Sequence, residues 1–210
     1  RERAGKVRDL FATVAPRYDL INDLQSFGLH RWWKRRLLRL AQLRPGETAL
    51  DLCCGTGDVA LAMAGTGARI VGLDFSERML SVAQERSRSG TTPRIGTRSG
   101  ARKTEGSPSF GAAPEGRERG CHNGPGTAVS FLRGDALRTP FRDEQFDVVT
   151  ISYGLRNLED CAAGLREMLR VLKPDGRLLV LDFGKPDNAL WRACYFAYLR
   201  WLVPVFGKIF

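Results

Sequence analysis

The chain has 210 residues, of which 43% are hydrophobic, and a formal net charge of +10. This length suits one domain with a sizeable core, and no stretch reaches the 18 uncharged apolar residues that a membrane span needs. The five cysteines have no C-x-x-C spacing, which argues against a zinc site and a redox pair. Their odd number favours a reducing, cytoplasmic compartment. No metal site is therefore predicted.

Positive charge is concentrated in two stretches of the chain. Residues 1–45 carry 11 Lys/Arg against 4 Asp/Glu, and residues 86–127 carry 8 against 3. Such charge suits nucleic acid or an anionic membrane surface, although ordinary solvated faces are the commoner explanation.

Strands and helices alternate from residue 46 onward. The apolar run TALDL, residues 48–52, predicts a buried strand, and GDVALAMA, residues 57–64, has the spacing of a helix with Asp58 near its start. The next strand, ARIVGLDF, ends at Asp74, and Ser76 is an N-cap candidate for the helix SERMLSVAQERS. Alternation of this kind indicates a parallel sheet.

Residues 87–127 break this pattern because Gly, Ser, Arg and Pro replace large apolar side chains. Such a segment cannot bury enough surface to fold, and we predict a disordered insert. Order resumes at VSFLRGDALRTPF with a third strand that ends in Gly134-Asp135-Ala136, and FDVVTISYGLRNL is a fourth strand followed by a polar turn. A helix (DCAAGLREMLRVLK) and, within PDGRLLVLDF, a turn and a fifth strand come next. On that last helix the shared buried face is expected to comprise Ala162, Leu165, Met168 and Leu169.

These elements predict a single domain, residues 1–210, of the α/β class with a doubly wound, Rossmann-like sheet. Its core comprises residues 46–86 and 128–188. Residues 1–45 form an N-terminal helical lid, and the aromatic stretch 189–210 forms a C-terminal helix. That helix either packs on the core or lies in a membrane interface, and composition favours neither.

The stretch ALDLCCGTGDVAL, residues 49–61, raises the question of the cofactor. Gly55, Gly57 and Ala60 have the spacing G-x-G-x-x-[G/A] of dinucleotide sites. Asp51 precedes this turn, and a carboxylate at its mouth would repel a diphosphate and favour a ligand bearing an ammonium and a sulfonium. We therefore predict S-adenosylmethionine (SAM), which has both groups and no phosphate.

Polar residues also follow the other strands. Asp74 is placed to accept hydrogen bonds from ribose hydroxyls, the stretch 134–136 to meet the adenine amino group, and the stretch 152–154 to form the rim. Each signal is weak alone, because a loop cap would explain Asp51 or Asp135 equally well. Together they predict one site, with cofactor-binding residues Asp51, Gly55, Thr56, Gly57, Asp74, Asp135, Ala136 and Ser152.

Three stretches outside the insert resemble the ubiquinone/menaquinone biosynthesis C-methyltransferase family of the UbiE/MenG type. They are YDLINDLQSFGLHRWWKRR (18–36), ISYGLRN (151–157) and RVLKPDGRLLVLDFGKP (170–186). The forms SFGLHRWWKR and DLCCGTGD are nearer to its menaquinone and phylloquinone branches than to its ubiquinone branch. The chain departs from the family at Asp175-Gly176, where Gly-Gly is usual.

The resemblance implies a SAM-dependent methyltransferase that methylates a ring carbon of a prenylated naphthoquinol. It implies that Arg156 and Asn157 are catalytic, with Arg156 stabilising a developing phenolate or orienting a water and Asn157 orienting the substrate. The alternative for Arg156 is a structural pair with Glu159 or Asp160. The insoluble substrate also implies peripheral contact with the inner face of the membrane, and a homodimer stays open.

The N-terminal segment offers further candidates, each with two explanations. Tyr18, with Asp19 and Asn22, caps a helix or closes as a lid over the cofactor, and the resemblance favours the lid and cofactor contact by Tyr18. His30 is a base or a hydrogen-bonded helix residue. The run WWKRR, residues 32–36, is a membrane-facing patch, or one Trp packs inward while the arginines are solvated.

Two other functions stay open at this stage. The family usually continues for a few tens of residues, so a truncated C-terminus is expected, and a weakly active homologue would serve as a SAM-binding scaffold. The charge also suits a nucleic-acid methyltransferase. Against this, no N/D-P-P-Y/F motif follows the fourth strand, and nucleic acid is not an expected partner.

Overall fold

The computed structural model describes residues 26, 28–90, 95, 129–184, 188–191, 196, 197 and 200. Tyr18, Asp19 and Asn22 lie outside these residues, as does most of the predicted insert. The N-terminal lid, the disorder of the insert and the division of the chain into segments therefore stay predictions.

Five strands form one parallel sheet with the order β3-β2-β1-β4-β5. The first strand is central and the order reverses beside it, so the predicted doubly wound α/β class is confirmed. The strands are β1 Thr48–Leu52, β2 Arg69–Asp74, β3 Val129–Arg133, β4 Phe146–Ser152 and β5 Leu172–Leu181. The helices are α1 Leu29–Ala41, α2 Asp58–Ala64, α3 Glu77–Arg88 and α4 Cys161–Val171, with a 3-10 turn at Leu155–Asn157.

Helices cover both faces of this sheet. On one face, α1, α2 and α3 bury Leu37, Met63 and Leu80 against the sheet. On the other face, α4 buries Met168 and Val171. Because side chains of a strand alternate between faces, the odd-numbered residues of β1 face α1 and α2, and its even-numbered leucines face α4.

Two helix starts follow the sequence signals. Ser76 Oγ accepts a hydrogen bond from the Met79 N–H at 3.4 Å, which confirms the predicted N-cap of α3. Asp160 caps α4 in the same way, with its Oδ1 2.9 Å from the Ala163 nitrogen.

The predicted buried face of α4 is partly wrong. Met168 is buried and Leu165 half-buried, but Ala162 is exposed and Leu169 is 58% exposed. The buried face instead runs through Gly164, Met168 and Val171. A Cβ on Gly164 would collide with the Leu158 side chain, so the missing side chain lets Leu158 pack against this face.

The connection from β3 to β4, residues 134–145, contains no helix. It is held to α4 by Glu167, which accepts hydrogen bonds from the Thr139 N–H and Oγ1, both at 2.7 Å. Arg170 donates to Glu167 and to the Phe141 carbonyl. The hydrogen bond from Arg170 holds the pKa of Glu167 at about 2.

The ends of the predicted segments need two adjustments. Helix α3 continues to Arg88, two residues into the predicted insert. The residues Lys173–Gly176 interrupt the pairing of β5 with β4, where the sequence predicted a turn before the strand. Residues 189–191, 196, 197 and 200 are helical, in agreement with the predicted C-terminal helix. Among the described residues, no helix combines the length and apolar character of a membrane span.

Candidate cofactor and active site

A cavity of about 270 Å³ opens at the carboxyl ends of the strands. This edge is where open α/β sheets bind their ligands. The cavity brings together six of the predicted site residues, namely Gly55, Asp74, Asp135, Ala136, Ser152 and Asn157. Asp51, Thr56, Gly57 and Arg156 do not line it.

Asp74 is one of three acidic residues that line this cavity, with Asp135 and Glu159. Its Oδ2 accepts a hydrogen bond from the Gly55 N–H at 2.8 Å and its Oδ1 one from the Ser76 N–H at 2.9 Å. Burial raises its pKa, although these backbone donors work in the opposite direction. An ionised carboxylate accepts about four hydrogen bonds, so Asp74 keeps capacity for a pair of ligand hydroxyls.

Asp51 has a different position from the one predicted. Its side chain is 1% exposed, and it accepts a hydrogen bond from Thr150 Oγ1 at 2.7 Å. Burial raises its pKa to about 7, against the effects of the Thr150 hydrogen bond and the Lys34 charge. The alternation of β1 directs Asp51 beneath α1 and α2, behind the cofactor turn, and its role toward the cofactor stays a prediction.

The glycine turn divides into one open and one packed position. Gly55 has φ +56°, and an added Cβ would meet nothing within 4 Å, so this position is open to a ligand. Gly57 has φ +82°, and its Cβ would lie 3.0 Å from Ala83 and Phe131. Gly57 therefore allows α3 and β3 to approach the turn, rather than allowing a ligand to approach it. Thr56 is buried beside it.

A buried ion-pair network supports this turn from behind. Lys34 Nζ is 2.8 Å from Asp58 Oδ2, and Arg86 Nη1 is 3.0 Å from Asp58 Oδ1. Arg86 also donates to the Thr56 carbonyl at 3.3 Å. Although burial alone would raise the pKa of Asp58, Lys34 and Arg86 hold it below its usual value. The network ties α1 and α3 to the start of α2.

The wall of the cavity contains Tyr153, from the stretch predicted to form the rim, and Cys53, which the sequence analysis did not assign to the site. Cys53 and Tyr153 have φ of +52° and +60°, a left-handed conformation that is uncommon outside glycine and concentrates at functional sites. Burial raises the pKa of the Cys53 thiol, which disfavours its thiolate form. Only the local pattern of the turns, DLCCGTG and SYG, could have signalled these positions.

Ser152 is the clearest sign of a ligand. Its Oγ is buried in the cavity wall and has no hydrogen-bond partner among the described residues. A buried hydroxyl without a partner is unfavourable by about 1–3 kcal/mol. A polar ligand atom would remove that penalty.

Arg156 and Asn157 lie at the rim rather than side by side in the cavity. Asn157 lines it, and its Nδ2 donates to the Tyr153 carbonyl at 3.2 Å. The Arg156 N–H donates to Asp182 Oδ2 at 3.2 Å, and its Nη1 is 3.5 Å from Asp182 Oδ1. The carboxylate facing Arg156 is thus Asp182, which the sequence analysis did not weigh. Asp160, one of the two predicted partners, caps α4.

An aromatic cluster joins α1 to this rim. Phe183 stacks on Tyr153 with ring centroids 4.6 Å apart and meets the edge of Trp33 at 6.0 Å. The Arg156 guanidinium lies 4.9 Å from the Phe183 ring centroid. One tryptophan of the 32–36 run therefore packs inward, as the second explanation predicted, while Trp32 is 48% exposed.

His30 fits the explanation as a hydrogen-bonded helix residue. It is 3% exposed, its Nδ1 is 3.0 Å from Ser26 Oγ, and it does not line the cavity. Nothing in this arrangement presents it to a substrate.

Nearly the whole chain, residues 1–103 and 113–210, matches the model of the ubiE/COQ5 methyltransferase family. The chain belongs to this family. It is 36% identical to a demethylmenaquinone methyltransferase of Desulfitobacterium hafniense, over all of this chain and 71% of that protein. It is 34% identical to the enzyme of the same name from Staphylococcus saprophyticus, over all of this chain and 76% of that protein.

Solved structures agree on the fold. A putative methyltransferase from Bacillus halodurans has a TM-score of 0.54 and 26% identity, over 81% of this chain and 60% of that one. A putative SAM-dependent methyltransferase from Methanococcus maripaludis has a TM-score of 0.57 at 18% identity, over 94% and 74%. The predicted family and fold are confirmed: the chain is a methyltransferase, and SAM is its co-substrate.

Proposed function

We propose that this chain methylates a ring carbon of a prenylated naphthoquinol as a step of menaquinone biosynthesis. The substrate is then demethylmenaquinol, the reduced form of the demethylmenaquinone that gives its relatives their name. The phylloquinone equivalent is the neighbouring candidate substrate. Similarity to demethylmenaquinone methyltransferases over the full chain carries the proposal. The open cavity at the carboxyl edge of the sheet, with a few polar groups in a mostly apolar wall, supports it.

The residues of the cavity fit SAM. Asp74 has acceptor capacity for the two ribose hydroxyls, and Asp135 and Ala136 border the position proposed for the adenine. Ser152 Oγ supplies a buried polar group that a ligand would pair. Thr56, Gly57 and Asp51 act from behind by shaping the turn that presents Gly55. Tyr18 is proposed as part of a lid over the same site.

The reaction needs an electron-rich ring. When bound, SAM would supply a sulfonium-activated methyl group: the ring carbon of the ionised quinol would take it as the S–CH3 bond breaks and leaves a neutral thioether, and the hydrogen on that carbon would then leave as a proton to restore the quinol. The chain's part is to hold the reactants in line, exclude water and stabilise negative charge on the quinol oxygen.

Arg156 is the proposed source of that stabilisation. Its guanidinium cannot act as a base at neutral pH, but it is fixed at the rim by Asp182 and Phe183. There it can stabilise a developing phenolate or orient the water that takes the proton. Asn157, fixed through the Tyr153 carbonyl, is proposed to orient the quinol ring.

Mass analysis of the product tests this proposal. Under reducing conditions, SAM and a short-chain demethylmenaquinol should give a product heavier by one methylene on the ring. Arg156→Ala should lower turnover by about 100-fold or more, with SAM affinity changed less than about threefold. Arg142→Ala, at an exposed position of the β3–β4 connection, is the matched control and should leave both unchanged.

Two outcomes would redirect the proposal. If Arg156→Ala weakened SAM binding and turnover equally, its role would be structural. If the wild-type chain bound SAM but methylated no naphthoquinol, the scaffold alternative would be favoured.

The homodimer, which the sequence left as an open question, is tested by sedimentation. A species of twice the chain mass of 23.3 kDa would support it.

The insolubility of a prenylated quinol leads to a proposal about location. We propose that the chain works in the cytoplasm and contacts the inner face of the membrane peripherally. The surplus of basic residues among residues 1–45 supports this, since cations near an anionic surface are each attracted by about 1 kcal/mol.

A further inference from the structure

One side of α1 faces outward with an unusual composition. The helix has no Asp or Glu, and its core side is formed by His30, Lys34, Leu37 and Ala41. The opposite side, which we name the α1 outer face, consists of the exposed residues Leu29, Trp32, Arg35, Arg36, Arg39 and Leu40. It therefore combines three apolar side chains with three positive charges.

The apolar side chains on this face are large and well exposed. Leu29, Trp32 and Leu40 are 50%, 48% and 57% exposed. Leu29 and Leu40 are about 16 Å apart along the helix, at 1.5 Å per residue. The Arg36 guanidinium lies 5.9 Å from the Trp32 ring centroid, so charge and aromatic surface are adjacent.

The other side of α1 fixes its orientation. Lys34 pairs with Asp58 at the start of α2, and Trp33 meets Phe183 beside the cavity. The helix therefore cannot turn to bury its outer face without breaking these contacts. Its proximity to Phe183 and Tyr153 also ties the outer face to the rim of the candidate site.

We infer that the α1 outer face docks on an anionic phospholipid bilayer. Helices that lie in a membrane interface have this pattern, in which Leu and Trp enter the headgroup boundary and Arg meets lipid phosphates. The inference rests on the proposed function, because a prenylated substrate places the enzyme at the bilayer. It goes further by assigning the contact to one helix and one lipid chemistry.

The aliphatic residues favour a bilayer over nucleic acid. On a phosphate backbone Arg36 and Arg39 would find partners, and Trp32 could stack on a base. Leu29 and Leu40, at opposite ends of the face, would gain little there. A lipid interface buries both of them together with Trp32.

Vesicle sedimentation with the full chain tests this assignment. The wild type should bind vesicles of 30% phosphatidylglycerol in phosphatidylcholine more tightly than pure phosphatidylcholine, and less tightly as salt rises. Arg36→Gln with Arg39→Gln should weaken binding to the anionic vesicles about 30-fold. Trp32→Ala should weaken it about tenfold on its own.

A charge-matched variant controls for net charge. Arg142→Gln with Arg166→Gln removes the same charge from exposed positions on the side of the sheet covered by α4. This pair should bind the anionic vesicles within about twofold of the wild type. Equal losses in the two double variants would overturn the assignment, and so would tighter, Arg36-dependent binding of a short RNA or DNA duplex.

Activity on two forms of substrate separates this inference from the proposed function. The Arg36/Arg39 double variant should methylate a short-chain, water-soluble demethylnaphthoquinol as the wild type does, but should lose activity on the prenylated substrate in anionic vesicles. If the wild type methylates neither substrate yet binds vesicles through α1, the proposed function fails and the docking face stands. If the double variant keeps full activity on the vesicle substrate, the docking face is overturned.

Discussion

The pKa values of the carboxylates at the two edges of the sheet are shifted in opposite directions. At the amino edge, Glu47 pairs with Arg177 and Asp147 with Lys173, both at 2.7 Å. Although burial opposes it, hydrogen bonds from Lys173 and Thr48 hold the pKa of Asp147 at about 2. At the carboxyl edge, burial instead raises the pKa of Asp51 and of Asp74.

The contrast extends to the backbone and the hydroxyls. Left-handed residues near the amino edge, Gln42 and Glu144, are exposed turn positions. At the carboxyl edge, Cys53 and Tyr153 hold this conformation inside the cavity wall, beside the unpaired Ser152 Oγ. Among the described residues, Glu47 and Asp147 at the amino edge are paired within the fold, whereas Ser152 Oγ and Asp74 at the carboxyl edge have capacity that a ligand can fill.

The largest expected effect concerns Asp74. Asp74→Ala should weaken SAM binding by about 100-fold or more in calorimetric titration, because two charge-assisted hydrogen bonds to the ligand are lost. Asp147→Ala is the matched variant at the amino edge, and it should lower the free energy of unfolding while changing SAM affinity less than about threefold. Similar losses of SAM affinity in both variants would remove the distinction between the edges.

As pH rises, Asp51 and Asp147 should change the free energy of unfolding in opposite directions. Asp51 has a folded pKa of about 7, above its unfolded value of 3.8, so its ionisation destabilises the fold progressively as pH rises from about 4 to 7. Asn does not titrate, and Asp51→Asn should be more stable than the wild type by about 2 kcal/mol at pH 8 but not at pH 4.

Asp147 contributes stability above its unfolded pKa of 3.8, and that contribution is lost as pH falls toward its folded value of about 2. Because the Asp147 side chain is 24% exposed, solvent screening limits its contribution to about 1 kcal/mol. Denaturant unfolding at pH 2.5, 4, 6 and 8 measures both residues. A wild type and an Asp51→Asn variant with parallel pH profiles would contradict the burial of a titrating Asp51.

Asp182 is a paired carboxylate at the carboxyl edge, so it tests whether pairing there serves catalysis. Asp182→Ala should lower kcat about tenfold while SAM affinity stays within about threefold, since the Arg156 guanidinium loses its anchor. Asp182→Asn keeps an acceptor for the Arg156 N–H and should recover part of kcat. Glu47→Gln breaks an arginine pair at the amino edge and should not change kcat. If Glu47→Gln lowered kcat as much as Asp182→Ala does, the Asp182 effect would be attributed to general destabilisation.

Ser152 should show the smallest effect and the most specific one. Ser152→Ala should weaken SAM binding about fivefold while leaving the free energy of unfolding unchanged or slightly higher, because a buried unpaired hydroxyl is removed. Thr150 lies two residues before Ser152 on β4, and its hydroxyl is already paired with Asp51. Thr150→Val removes this paired hydroxyl. It should lower stability instead, and a stability loss in Ser152→Ala would show that its hydroxyl is paired within the fold.

The fold could be predicted well because its signals are local. Short apolar runs gave the strands, Ser76 and Asp58 marked helix starts, and alternation of elements indicated a parallel sheet. The buried face of α4 was mistaken because its sequence allows two apolar stripes. The contact between Gly164 and Leu158, which chooses between them, depends on the tertiary structure.

The site was predicted less completely, for physical reasons. Asp74 and Ser152 end β2 and β4, and the carboxyl ends of parallel strands meet at one edge of the sheet. The proximity of these two residues can therefore be predicted from the order of strands and helices along the chain. The sequence analysis placed Asp51 at the mouth of the cofactor turn, whereas the packing by α1 and α2 that buries this carboxylate and raises its pKa depends on the tertiary structure. The left-handed Cys53 and Tyr153, and the pairing of Arg156 with Asp182, leave no periodic signal in the sequence.

Hydrogen exchange with and without SAM tests the difference between the edges most directly. Saturating SAM should slow exchange in the backbone segments that contribute residues to the cavity, which are 53–55, 74–79, 134–137 and 152–159. Exchange at the amino edge, in segments 42–47 and 173–177, should stay unchanged. Protection confined to the amino edge, or protection of the cavity by NAD or FAD and not by SAM, would contradict the account.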